Sequence, residues 1–326
     1  MSKKLFSTEK WKKHLKSRQE AALRSSQRRK SGRVPARKFV PPNRRKFFTE
    51  VAPTTFSLVD NPEEAIAFLN GLRSRADRYN LTLDLASVNK LTTDGIAVLI
   101  ATLRQLHTYI RGNLPKDAAA QNMLVGSGFF AHVNKMQKLP AVSHGQISQQ
   151  ESKKVQPDLA KKLIHFGTRV LGSEQKCTAA YSVLIESMSN THNHAAPKRP
   201  GDPESWWATV FADAARKRVC FTFVDTGVGI FRSVKLSKVR KIYKLLGIRD
   251  DSDILREMLH GKIESSTGFT YRGKGLPNIY KMSAAGRIKS LVIVANDVYC
   301  NVPASEYRML KNSFYGTVLY WEIELV

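Results

Sequence analysis

Three short segments in a fixed order limit what the C-terminal half of this chain can fold into. They are LIESMSN (Leu184–Asn190), FVDTGVGI (Phe223–Ile230) and RGKGL (Arg272–Leu276). The first lies in a helical context and sets Glu186 and Asn190 four residues apart, so both side chains leave one face of one helix. The second is an apolar strand that ends in Asp225 and turns through Gly227 and Gly229. The third is a glycine-rich turn running into a helix-like stretch. A carboxylate and an amide on one helix can serve a water and a metal ion. A glycine-rich turn before a helix takes phosphate on its backbone N–H groups. Together they describe a site for a magnesium nucleotide. Taken singly, Glu186 and Asn190 also read as polar residues on the solvent face of a helix, and DTG as an acidic turn.

The ordered triplet, followed by YGTVLYWEI near the C-terminus, resembles the GHKL superfamily of sensor histidine kinases, anti-sigma-factor kinases and gyrase-type ATPases. The resemblance covers roughly Gln156 to Val326. It implies a Bergerat-fold α/β sandwich, a mixed sheet with helices on one face, holding ATP and Mg²⁺. It implies that Glu186 orients or deprotonates the attacking nucleophile, that Asn190 binds Mg²⁺, and that His194 touches a phosphate. Asp225 then accepts from the adenine amino group, with Thr317 supporting the same base through a water. Gly227 and Gly229 let the backbone pass close to the nucleotide, and Arg272, Gly273, Lys274, Gly275 and Leu276 form the second glycine box. The stretch from about 231 to 272 becomes an ATP lid, although SDILREMLHGKI within it equally reads as a packed amphipathic insert.

The 326 residues suggest about two domains, and a hydrophobic fraction of 42% is enough for real cores. The formal charge of +26 is unevenly spread: residues 1–50 hold 17 Lys and Arg against 3 Glu. That arm reads as a solvated extension that attracts polyanions, or as a solubilising tail whose Trp11 and phenylalanines dock on the body or on a second subunit. Residues 51–150 follow a β-α-β-α order: a strand over 54–59, a helix from Pro62 capped by Asn61, a strand over 81–88, a buried helix over 95–110, and a short helix ending near Gly126 or Gly128. The pattern resembles a STAS domain, in which Thr93 takes the phosphoacceptor place. The plainer reading makes Thr92 and Asp94 caps of the next helix. Residues 138–157 are polar and read as a linker or surface loop, and residues 151–326 carry the ATP-site motifs.

Cys177, Cys220 and Cys300 lack zinc-like spacing and read as core residues of a reducing compartment. No apolar run reaches the ~20 residues of a membrane span, and the basic start lacks a signal-peptide core. These features point to a cytoplasmic protein. Three functions are compatible with the motifs. The first is an ATP-hydrolysing or ATP-gated switch acting on a regulatory protein partner, as in bacterial regulation. The second is a Ser/Thr kinase of the anti-sigma-factor type. The third is a nucleic-acid-binding adaptor with a structural nucleotide site. A histidine kinase fits less well, because His165 is followed by Phe166 and Gly167 rather than by an acid. Homodimerisation is compatible with all three.

Overall fold

The computed structural model describes residues 41–133, 145–150, 155–172, 174–194, 206–213, 216–233, 248, 250–262 and 275–324. The chain divides into Met1–Arg44 and Arg45–Val326. Of the first unit only Pro41–Arg44 is described, with a single 3-10 turn over Pro42–Arg44.

The N-terminal half of the second unit is built on a three-stranded parallel sheet of order β1-β3-β5, with β1 Phe47–Val51, β3 Asn80–Asp84 and β5 Ile110–Gly112. The first strand thus lies inside the stretch read as arm. The expected strand over 54–59 shrinks to β2 Thr55–Phe56, paired with β4 Lys90–Leu91. Four basic and polar residues run directly into Phe47, and β1 alternates exposed and half-buried positions, so its apolar signal is weak. Helix α1 (Pro62–Ala76) starts with proline, and Glu63 and Glu64 suit its positive end. Asn61 sits at the N-cap but makes no cap bond; its amide donates to the Thr55 carbonyl and to Glu64.

Helix α2 spans Thr93–Leu103, and all of its residues are buried. It is shorter than the expected 95–110, because the chain turns after Leu103 and the end of that run becomes β5. A helix that is apolar all round must be covered all round. α2 packs against α1 on one side and against the large sheet of the C-terminal half on the other. α3 (Ala118–Gly126), capped by the Asp117 carboxylate on the Ala120 N–H, and α4 (Phe129–Val133) complete this half.

The C-terminal half is a seven-stranded sheet of order β11-β10-β9-β12-β8-β7-β6. Its strands are β6 Gly145–Gln150, β7 Trp206–Asp213, β8 Arg218–Asp225, β9 Lys289–Ala295, β10 Val298–Asn301, β11 Glu306–Met309 and β12 Thr317–Glu324. The mixed sheet expected from the sequence is not what forms: every pairing is antiparallel. Short turns join β7 to β8, β9 to β10 and β10 to β11, which forces antiparallel neighbours. The long connection from β8 to β9 does bring those two strands in parallel, but β12 inserts between them, antiparallel to both. The polar segment 138–157, expected as a linker or loop, contains edge strand β6. A polar edge strand satisfies its backbone on one side and discourages further pairing on the other.

Helices α5 (Pro157–Leu171), α6 (Glu174–His194), α8 (Asp251–Leu259) and α9 (Gly275–Ala284) share one core with one face of this sheet. The short α7 (Ile230–Ser233) follows β8. Trp206, Phe221, Phe223 and Trp321 fill this core, with Phe221 and Trp321 stacked at 5.4 Å. The expectation of helices on one face alone fails for the second face. There Trp207, Val224, Val294, Val318 and Tyr320 belong to the core of the N-terminal half. The period of two along each strand makes both faces apolar, so both require cover. Cys177, Cys220 and Cys300 are buried and not in disulfides, and burial pushes the Cys220 and Cys300 thiols up to about 11 and about 12. Among the described residues no helix is long and apolar enough to cross a membrane.

Asp94 ties the start of α2 to the preceding loop. Its carboxylate accepts from Ser57 Oγ at 3.1 Å, Leu58 N at 2.5 Å and Val59 N at 3.2 Å. It therefore braces the 57–59 turn rather than serving only as a helix cap, while the Thr92 hydroxyl donates to the Phe56 carbonyl. Thr93, at 7% exposure, is closed off from a modifying enzyme. Burial raises the Asp94 carboxyl above its ordinary range, against the opposing hydrogen bonds from Thr92 and from the Leu58 and Val59 amides. The folded chain holds this proton more tightly than the unfolded one. That stability is fully present below the ordinary carboxylate range and is lost as the pH rises through the raised value. Asp94→Asn, which keeps an acceptor, is expected to flatten this pH dependence at a cost under about 1.5 kcal/mol. Asp94→Ala strands three donors and is expected to cost at least about 3 kcal/mol. Urea unfolding across pH checks both.

Candidate functional site

The sequence-derived residues come together in two groups. In the first, α6 presents Glu186 and Asn190 toward the start of α9. α6 buries Val183, Leu184, Ser187, Met188 and Thr191 in the core, which turns the half-buried Glu186 and Asn190 onto its flank. Gly275, the buried first residue of α9, sits directly against them. A Cβ there would lie 3.1 Å from the Asn190 amide nitrogen and oxygen and 3.1 Å from Glu186 Oε2. A side chain there would push the two polar ends back by a few tenths of an ångström, so glycine lets the helix start approach them at this spacing. Asn278, one turn into α9, donates from Nδ2 to Glu186 Oε1 at 3.4 Å. Leu276 is half-buried and packs against the helical core.

The second group lies where β8 and β12 pair. Asp225 is the last residue of β8 and Thr317 the first of β12, and they face each other in register. Thr317 is buried, and its other neighbour is Ala295 at the end of β9. Asp225 Oδ1 accepts from the Gly227 N–H at 2.7 Å, which orients the carboxylate as the chain leaves the strand. Gly229 takes φ +80°, and its missing side chain leaves room for the Asn296 amide, whose atoms would lie 2.5–2.7 Å from a Cβ.

Asn296 was not anticipated. It is buried at the β9–β10 turn with φ +52°, a conformation asparagine tolerates better than most residues. Its Nδ2 donates to the Val228 carbonyl at 3.0 Å and its Oδ1 accepts from Phe231 N at 3.2 Å. Its backbone N–H donates to the Gly316 carbonyl and its carbonyl accepts from Phe314 N. One residue thus clamps the loop after Asp225 to the loop before Thr317. An Asn-Asp pair after an apolar strand signals only a turn in sequence, and the partners of the side chain lie 65 and 68 residues away. Asn278 escaped for a similar reason, since its partner is 92 residues distant.

α6 packs on β7, β8 and β12 as well as on α9, so the helix bearing Glu186 and the strand bearing Asp225 share one core. His194 ends α6, and its side chain lies outside the described residues, as do Arg272, Gly273 and Lys274 of the glycine box. Of the stretch read as a lid, Asp251–Leu259 forms α8, with Ile254, Leu255 and Leu259 buried and the Asp250 carboxylate capping its start. This helix packs in the core of the C-terminal half; residues 234–247 and 263–274 lie outside the described residues. A separate cavity of about 300 Å³ lies between α5 and α6, lined by Lys161, His165, Thr178 and Tyr181 among others. Neither Glu186 nor Asn190 lines it, and Thr178 lies eight residues, about 12 Å along α6, before Glu186. No protein-family model matches the chain, and a search of the curated proteins finds no match.

Proposed function

We propose that the chain binds Mg-ATP and uses it, by hydrolysis or as a switch, to control a protein partner. The observation that carries this reading is the contact at Gly275. A carboxylate, an amide and the first residue of a helix converge, with only glycine's missing side chain leaving their present spacing undisturbed. The donor set suits the group. Asn190 offers a hard oxygen of the kind Mg²⁺ takes alongside phosphates, and the α9 start offers backbone N–H groups to phosphate. Bound ATP supplies a transferable phosphoryl group, and catalysis of that transfer is mainly positioning and charge stabilisation. In this reading Glu186 orients and deprotonates the nucleophile, with Asn278 holding one of its oxygens. Asp225, oriented by Gly227, accepts from the adenine amino group and repels a guanine carbonyl.

Calorimetry with Mg²⁺ present tests the reading. The parent chain is expected to bind ATP and ADP. Asp225→Asn, which turns one acceptor into a donor, is expected to weaken both by about 30- to 100-fold, on the order of 2–3 kcal/mol. Equal affinity of the parent for GTP would overturn the adenine assignment.

A further inference from the structure

Parallel sheets almost always have both faces covered. Among the described residues no element packs over the outer face of β1-β3-β5. By strand alternation, Phe47, Thr49 and Val51 of β1 share that face with Asn80, Thr82 and Asp84 of β3 and with Arg111 of β5; Asn80 is buried beneath its neighbours, and the exposed side chains belong to the two edge strands. Tyr109, two residues before Arg111, falls on the same side, and its carbonyl accepts from Leu81 N. The exposures are large for such residues: Phe47 43%, Val51 60% and Tyr109 56%. Arg111 stretches across the face, its guanidinium 3.9 Å from the centre of the Phe47 ring and its Nε donating to Thr82 Oγ1 at 3.1 Å. The result is a guanidinium laid over the Phe47 ring, with the Thr82 hydroxyl beside it and a second exposed ring, Tyr109, on the opposite edge strand.

We infer that this face binds single-stranded nucleic acid. Bases stack on exposed aromatic rings and on guanidinium planes, and a basic border holds the phosphates. Arg45 and Lys46 lead into β1, and Arg78 stands exposed just ahead of β3. The acid on the face, Asp84, sits at the opposite end of the strands, tied to Asn113 Nδ2 and to Ala86 N. The path for a strand therefore runs along the Phe47–Tyr109–Arg111 end. The sequence adds a long-range attraction, because residues 1–50, with 17 Lys and Arg, feed directly into β1. The arm attracts any polyanion, whereas the rings select unpaired bases. The inference is independent of the ATP reading.

The test is fluorescence anisotropy on the full-length chain, with labelled RNA and DNA single strands of about 20 nucleotides and a duplex of the same sequence, at physiological salt. Tyr109→Ala is expected to weaken single-strand binding by about 5- to 150-fold, the range for losing one stacked base. Duplex affinity, carried by the arm, stays within about twofold because no phosphate contact is removed. Tyr109→Phe keeps the ring and keeps the affinity. Tyr109 is exposed, and an unchanged melting temperature confirms that the variant folds. A preference for either sugar supports the assignment and names the polymer. Equal losses on single strand and duplex, or no loss on either, overturn it. So does a parent dimer that Tyr109→Ala dissociates in sedimentation, which would give the face to a second copy of the chain.

Discussion

Glu186→Ala is expected to lower ATP turnover by about 10²- to 10⁴-fold, the range for losing a positioned general base. Nucleotide affinity should stay within about threefold, because an interaction made mainly in the transition state costs kcat and leaves binding intact. The geometry motivates this division. Glu186 sets one oxygen beside Gly275 at the helix start and accepts from Asn278 through the other, so its carboxyl group has a fixed direction. Phosphate release under single-turnover conditions, paired with calorimetry on the same preparation, separates the two quantities. A variant that hydrolyses ATP like the parent removes Glu186 from the reaction and leaves a purely structural nucleotide site. A parent that releases no phosphate but labels a partner protein moves the reading to a kinase.

Gly316→Ala is the second large effect, and it concerns stability. Gly316 has φ +122°, a region essentially closed to other residues. A Cβ there would run into the carbonyl oxygen and carbon of Asp225, and backbone cannot move aside as a flexible side chain can. We expect a loss of about 4 kcal/mol or more, a fall in Tm of about 10 °C, with ATP affinity reduced because Asp225 and Thr317 are displaced together. Gly286→Ala is the control. Its φ is +66° and nothing lies within 4 Å of the added atom, so only the intrinsic left-handed penalty of about 1–2 kcal/mol remains. Similar melting temperatures for the two variants would show that the close approach at Asp225 is not rigid.

How much of this was readable depended on the range of the signal. Glu186 and Asn190 are four residues apart on one helix, and local spacing alone put them on one flank. The helix around Leu184–Asn190 was legible for the same reason, and it forms as part of α6. The direction of β12 was not local information. Its placement between β8 and β9 depends on where a chain end more than ninety residues from β8 finds an open slot. The same holds for Asn296, whose amide reaches a loop 65 to 68 residues earlier. Strand β1 was missed because strong basic charge just ahead of it drew the eye to solvation, while its pairing with β3 is carried by the backbone. For α2 the helix was legible and its surroundings were not: eleven buried residues in a row announce that something covers every side without saying what.

That helix has a practical consequence. Because α2 lies in the core of one half and covers the sheet of the other, cutting the chain near residue 150 would not yield two tidy fragments. The C-terminal piece would leave Trp207, Val224, Val294, Val318 and Tyr320 bare to water, a greasy plate prone to clumping during expression. The N-terminal piece would lose the floor beneath its central helix. The motifs proposed to hold ATP occupy only the later part of the chain, yet a fragment trimmed to them is expected to arrive in inclusion bodies. Transplanting either half onto another protein therefore means carrying its neighbour along.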